Sequence, residues 1–268
     1  FRSDRVLTYR QDRGRANMLL RVRDGVLQVL NRGRVVASQA LADTDIVTIF
    51  GSDHRDRIRV HSSVSASFDG SIEIHGGSQY DTLIVEGTKK DDVIKVEPTA
   101  AYINVSDDQG LAVYFGNNVE SIKVHAGNGN DFTKVEETNG AVTVDLFLSG
   151  NRGNDILVGG TGNETITGGS GHDILIGSAG SDILIGNGEQ DILIAGSTNA
   201  DLVDVQSIWI ADLSYSARKE LLIDQVSSID DGERDYLFGG FGRDWTLADS
   251  FDLDFDRWWT AAQNQSRR

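Results

Sequence analysis

Short aliphatic runs separated by polar, glycine-bearing turns recur along most of the chain. They include Ile46–Phe50, Ile58–Val60, Ile72–Ile74, Leu83–Val85, Val93–Val96, Ile103–Val105, Ala112–Phe115, Ile122–Val124 and Val142–Leu148. Runs this short, alternating apolar with polar, predict half-buried strands. Between Gly150 and Ile194 the pattern becomes strictly periodic. Read in nines it is GNRGNDILV, GGTGNETIT, GGSGHDILI, GSAGSDILI and GNGEQDILI. An acidic residue returns at Asp155, Glu164, Asp173, Asp182 and Asp191, and an aliphatic one two places later at Leu157, Ile166, Leu175, Leu184 and Leu193. Such self-similarity predicts stacked strand–turn units, with two nonamers per coil of roughly eighteen residues. Asp155, Asp173 and Asp191 then share one row of turns, and Glu164 and Asp182 the other.

The grammar is worn from Asp45 to Leu148. Turns such as GSDHRDRIR, GGSQYDTLI, GTKKDDVIK and AGNGNDFTK place Asp56, Asp81, Asp92 and Asp131 at separations of 25, 11 and 39, with 24 more to Asp155. These predict wider, irregular coils feeding the tight roll, with most of the early aspartates as turn residues and Asp131 as the best extra ligand candidate. Alternation over residues 20–40, broken at Asp24-Gly25 and Asn31-Arg32-Gly33, predicts hairpin strands at the N-terminal end. The Arg-rich stretch before them reads as a solvated arm or first strand, or as a docking arm. Residues 200–229 leave the pattern and predict one or two short helices covering a face of the roll, the second capped by Ser214. Asp235 and Asp244 restore the nonamer and predict stacking on the earlier array. Phe251, Phe255, Trp258 and Trp259 suit a cap for the open end.

The fold class is therefore all-β: a right-handed parallel β-helix or β-roll solenoid with a short helical insert and end caps. Its segments are 1–44 (arm and capping strands), 45–149 (irregular coils), 150–199 (regular roll), 200–229 (insert) and 230–268 (returning repeats and cap).

Composition sharpens this picture. The chain has 268 residues, 30 glycines, one proline and no cysteine, with a net charge of −16. Residues 1–34 carry nine Arg and three Asp, a net of +6, which leaves −22 for the rest. Such acidity argues against nucleic acid as a partner, and no apolar run reaches the length of a membrane span.

Stacked carboxylates repel unless a cation lies between them. Glycine turns leave carbonyl oxygens free, and hard cations prefer oxygen. The nonamers resemble the RTX family of secreted bacterial proteins, the likeness covering about forty-five residues. That resemblance implies a calcium β-roll holding two to three Ca²⁺ ions. One site would join Asn151, Gly153 and Asp155 to Gly168, Ser170 and Asp173. A second would join Gly160, Gly162 and Glu164 to Gly177, Ala179 and Asp182. A third would join Gly169, Gly171 and Asp173 to Gly186, Gly188 and Asp191. Carbonyls supply the ligands at the non-acidic positions. Glu164 departs from the pattern by one methylene, Glu189 stands at the fourth glycine, and the register slips at Ala200-Asp201. The terminal Gln265-Ser266-Arg267-Arg268 does not resemble the family's export signal.

Catalytic motifs are missing from the sequence. His54, His61, His75, His125 and His172 show no HExxH spacing, and there is no GxSxG or P-loop. The Asp252/Asp254/Asp256 spacing fails as an EF-hand, because Arg257 and Gln263 stand where Gly and Glu belong. Thr161, Thr165 and Thr167 make too irregular a ladder for ice binding. β-Helix polysaccharide lyases use clustered Asp, Arg, Lys and Tyr on one face, and Lys89, Lys90, Lys95, Arg57, Arg59 and Asp91 could in principle gather that way. The expected function is an extracellular calcium-dependent structural or adhesive module, secreted or at a bacterial cell surface. Its expected partners are calcium, other copies of itself or surface polysaccharide; the alternative is a carbohydrate-acting enzyme or binding module.

Overall fold

The computed structural model describes residues 5–99, 102–116 and 118–255. Strand is the main regular structure, arranged among the described residues in two sheets of eleven strands each. In the nonamers, one half-coil lies in the first sheet as Ile156–Val158, Ile174–Ile176 and Ile192–Ile194. The other half lies in the second sheet as Asp145–Arg152, Thr165–Ser170 and Ile183–Gly188. Neighbours pair in parallel with a shift of one coil, Leu157 with Leu175 and Leu175 with Leu193 in one sheet, Leu148 with Ile166 and Ile166 with Leu184 in the other. These central residues are fully or almost fully buried between the sheets. The alternation demanded by a pleated strand thus supplies the core.

The same core runs back to Leu7, Met18 and Leu20. The Arg-rich stretch is a first coil. Val6–Arg10 pairs in parallel with Ile46–Phe50, and Asn17–Arg23 with Arg57–Val60. Antiparallel strands Val26–Asn31 and Arg34–Ala40 follow through turns at Asp24-Gly25 and Arg32-Gly33. All four turn residues have positive φ, between 50° and 80°, the geometry of a type I′ hairpin.

The 39-residue gap between Asp92 and Asp131 is no wide coil. Ile103–Asp107 and Ala112–Phe115 form an antiparallel excursion on Val93–Pro98. The connections are too short for a parallel crossover. Asp107 Oδ1 accepts from the amides of Gln109 and Leu111, which closes the second turn. The Val142–Leu148 run begins its strand only at Asp145 and extends to Arg152, because turn residues continue the ladder there, Gly127 opposite Asn151.

Residues 201–222 form the helices Leu202–Trp209 and Tyr215–Leu222. Asp201 caps the first, and Ser214 Oγ accepts from Ala217 N at the second. They lie on the outer face of the first sheet. Ile156, Val158, Ile174, Ile176, Ile192 and Ile194 form a second apolar cluster there with Val205, Trp209, Leu222, Val226 and Trp245. This is why both flanks of each ILI strand are buried as well as its centre. Trp209 is fully buried, and its Nε1 donates to Gln190 O at 2.7 Å. Gln206 Nε2 reaches Asn154 O at 2.7 Å. The Arg218 guanidinium bonds Trp209 O and Gln190 Oε1. Trp209→Ala should cost about 3–5 kcal/mol through the cavity it opens, read as a drop in the urea midpoint.

After the helices the chain re-enters the roll. Tyr236–Phe241 pairs in parallel with Ile183–Gly188, and Trp245–Leu247 with Ile192–Ile194. Leu253–Asp254 then pairs with Tyr236 and Leu237, and Phe255 stacks on Phe238 at 4.3 Å. Phe251 is 55% exposed and does not act as a cap. Trp258 and Trp259 lie outside the described residues.

Candidate metal centres

Each acidic position of the nonamer sits at the end of a turn, just before a strand. At the aspartates, Oδ1 accepts from the backbone amide of the equivalent residue one coil earlier. Asp155 N donates to Asp173 Oδ1 at 2.8 Å, and Asp173 N to Asp191 Oδ1 at 2.9 Å. In the other row Glu164 N donates to Asp182 Oδ1 at 2.7 Å. The two rows lie where the eighteen-residue shift places them.

Both rows outrun the regular repeats. One extends through Asp92, Asp131 and Asp155 at one end, and from Asp191 to Asp244 at the other. The second row contains Asp56, Asp81 and Glu120 in early coils, and Glu164, Asp182, Asp235 and Asp252 in late ones. Glu120 was missed by sequence because no nonamer surrounds it. Its only signal is that it directly precedes a strand, as the aspartates do. Asp56 and Asp92 behave as turn caps, each with its second oxygen taken by an amide of its own turn, Ser52 N or Thr88 N.

The second oxygens of seven other aspartates are different. Oδ2 of Asp81, Asp131, Asp155, Asp173, Asp182, Asp191 and Asp235 is buried without a hydrogen-bond partner. A buried carboxylate oxygen left unpaired is costly. Glycine creates the space it occupies, since a Cβ on Gly150, Gly168 or Gly186 would stand 2.2–2.3 Å from the Oδ2 of its own turn's aspartate. The carbonyls of Asn151 and Gly153 point along the stack, where a Cβ on Gly169 or Gly171 would come within 2.2 or 2.0 Å. Gly169 and Gly171 have φ of 126° and 125°, open to glycine almost alone. Ser170 O accepts from Gly153 N at 2.9 Å, which leaves it a second lone pair. An array of anionic and carbonyl oxygens with unmet valence suits a hard divalent cation.

Burial is the main cause of the carboxylates' weak acidity, with neighbouring carboxylates adding to it. It pushes Asp131, Asp155, Asp173 and Asp235 up to about 7, and Asp182 and Asp191 up to about 9. Bonds from backbone amides oppose the shift only in part.

Glu164 is the exception among the nonamers. Its longer side chain folds back onto its own turn and accepts from Gly160 N at 3.0 Å, with a further bond to the Gly162 amide. Neither Gly160 nor Gly162 takes the positive φ seen at Gly153, Gly171 and Gly180. The turn is therefore built differently, and no orphaned oxygen remains on Glu164. The set of Gly160, Gly162 and Glu164 does lie opposite Gly177, Ala179 and Asp182, with Ala179 N donating to Gly160 O at 3.0 Å.

A second ladder, unread in the sequence, runs beside the first at the preceding position. Asn130 N donates to Asp91 Oδ1, Asn154 N to Asn130 Oδ1 and His172 N to Asn154 Oδ1, at 2.7–2.8 Å. Recurrent Asn before the acidic residue was its signal. The residues a lyase would need are brought together only in part: Arg59 and Lys89 line one groove, whereas Lys95 lies on the first sheet beside Glu136 and Asp91 belongs to this ladder.

Fold and site together define a class: a parallel β-roll whose two rows of oxygen-lined turns are made for a hard cation. The family model of the RTX calcium-binding nonapeptide repeat, four copies long, matches residues 147–175 and 167–199. This segment, about a fifth of the chain, therefore carries RTX-type nonapeptide repeats, a repeat that binds Ca²⁺. No curated protein and no solved structure matches the chain.

Proposed function

We propose that the chain is an extracellular structural or adhesive module of a bacterial surface or matrix, ordered by Ca²⁺ and without catalytic activity of its own. The observation that carries this is the double row of buried carboxylates, in which Asp81, Asp131, Asp155, Asp173, Asp182, Asp191 and Asp235 each hold one amide and one unmatched oxygen. The first and third sets would bind through Asn151, Gly153, Asp155, Gly168, Ser170 and Asp173, and through Gly169, Gly171, Asp173, Gly186, Gly188 and Asp191. The roll would wind right-handed, the hand that parallel β crossovers take. Bound ions would turn the acidic stack from a source of strain into a stiff rod. External calcium can fill sites whose affinity is on the order of 0.1–1 mM, whereas the cytosol cannot.

Native mass measurement across a calcium titration tests this by counting ions and copies. Two or more bound ions are expected in millimolar calcium, and a count of zero in ample calcium would overturn the reading. Glu164 closes its own turn, so Glu164→Asp should open the second set and raise the count by one.

A further inference from the structure

The chain is strongly acidic, yet one open groove of about 430 Å³ is lined by Arg59, Lys89, Arg152 and His125 with a single carboxylate, Glu86. It crosses the C-terminal ends of four second-sheet strands, Arg57–Val60, Thr82–Glu86, Ser121–Asn128 and Asp145–Arg152. Glu86 lies 3.4 Å from Arg59. Among the described residues, Lys89 and Arg152 have no acidic side chain within ion-pair distance.

The groove continues onto a track. From Glu86 one register row on the outer face of the second sheet passes through His125, Ser149, Thr167, Ile185 and Phe238. The adjacent row carries Lys123, Phe147, Thr165, Ile183 and Tyr236. The inner residues between them face the core, and the helical insert covers the other sheet. Strands about 4.8 Å apart make this track roughly 25 Å long, too long for a single small anion.

We propose that the groove and track bind a linear anionic polysaccharide. Arginine forks grip a carboxylate or sulfate in the groove. Along the track, the Ser149, Thr165 and Thr167 hydroxyls meet sugar hydroxyls, and the C–H face of a sugar ring lies on Tyr236. The proposal goes beyond the metal reading and does not depend on how many ions the ladders hold.

The full chain in constant saturating calcium is titrated calorimetrically with polygalacturonate, dextran sulfate, neutral dextran and single-stranded DNA. Binding to polygalacturonate, dextran sulfate or both is expected, and none to dextran or DNA. The two polyanions decide between carboxylate and sulfate. Arg59→Ala with Arg152→Ala should weaken binding at least about tenfold, and Lys89→Ala alone about threefold, with unchanged circular dichroism. Lys134→Ala, on the other sheet, should change nothing. Binding to neither polyanion, equal binding to DNA or dextran, or full binding by the groove variants overturns the proposal.

Discussion

Removing calcium with a chelator at about pH 8 should strip most of the β signal from the circular dichroism spectrum. Acidifying the same calcium-free sample to about pH 5 should restore much of it. Both expectations come from one linkage. Asp131, Asp155, Asp173 and Asp235 are pushed up to about 7, and Asp182 and Asp191 to about 9, mainly by burial. An unfolded aspartate titrates near 3.9. The folded, metal-free state thus binds more protons than the unfolded one, and its stability falls as pH rises through the window from about 4 to about 9. A single unit is worth about 1.4 kcal/mol. Six groups raised by even one unit sum to about 8 kcal/mol, the order of a whole domain's stability. Calcium reverses the trend, since it binds the ionised ladder and is displaced by protons. With calcium present, stability should therefore rise with pH over the same window. Melting curves at several pH values, with and without the ion, check the crossing. Parallel curves that never cross would remove the physical basis for metal-coupled order.

What could be read from the residues depended on periodicity. The nonamers dictated strand, turn and row because a spacing of nine leaves one stacking solution: Leu157 over Leu175 over Leu193, Asp155 over Asp173 over Asp191. Where spacing was irregular, strands were legible but their direction was not. Ile103–Asp107 looks like any other half-coil, and only the tight turn closed by Asp107 makes it antiparallel. The amphipathic character of 200–229 signalled a cover, but not which sheet it would cover. The clue lay in the isoleucines flanking each core leucine, at positions a water-facing strand would make polar. At the site, the departure of Glu164 was visible, but its consequence was not. One methylene lets a carboxylate reach the amides of its own turn, and that is a matter of conformation rather than of residue type.

Asp173→Asn should shift stability in opposite directions with and without calcium. Asparagine keeps the shape and the Oδ1 that accepts from Asp155 N. It replaces the unmatched Oδ2 beside Gly168 with an uncharged amide. Asp173 is shared by the first and third proposed sets, so its loss weakens two ion sites together. In saturating calcium the variant should lose about 3 kcal/mol or more, the scale for removing one partner from a buried charge pair. In chelator at about pH 8, where the wild-type roll must bury this charge uncompensated, the variant should melt several degrees higher. Asp204→Asn, exposed on the helical insert, should move neither curve. A purely structural role for Asp173, as the acceptor that ties one coil to the next, predicts a gain in both conditions, because asparagine accepts the same bond and removes the buried charge whether or not calcium is present. A metal role alone predicts the reversal of sign. Loss of stability in both conditions would point instead to a packing defect at the crowded Gly168 turn, and would leave the shared-ligand assignment without support.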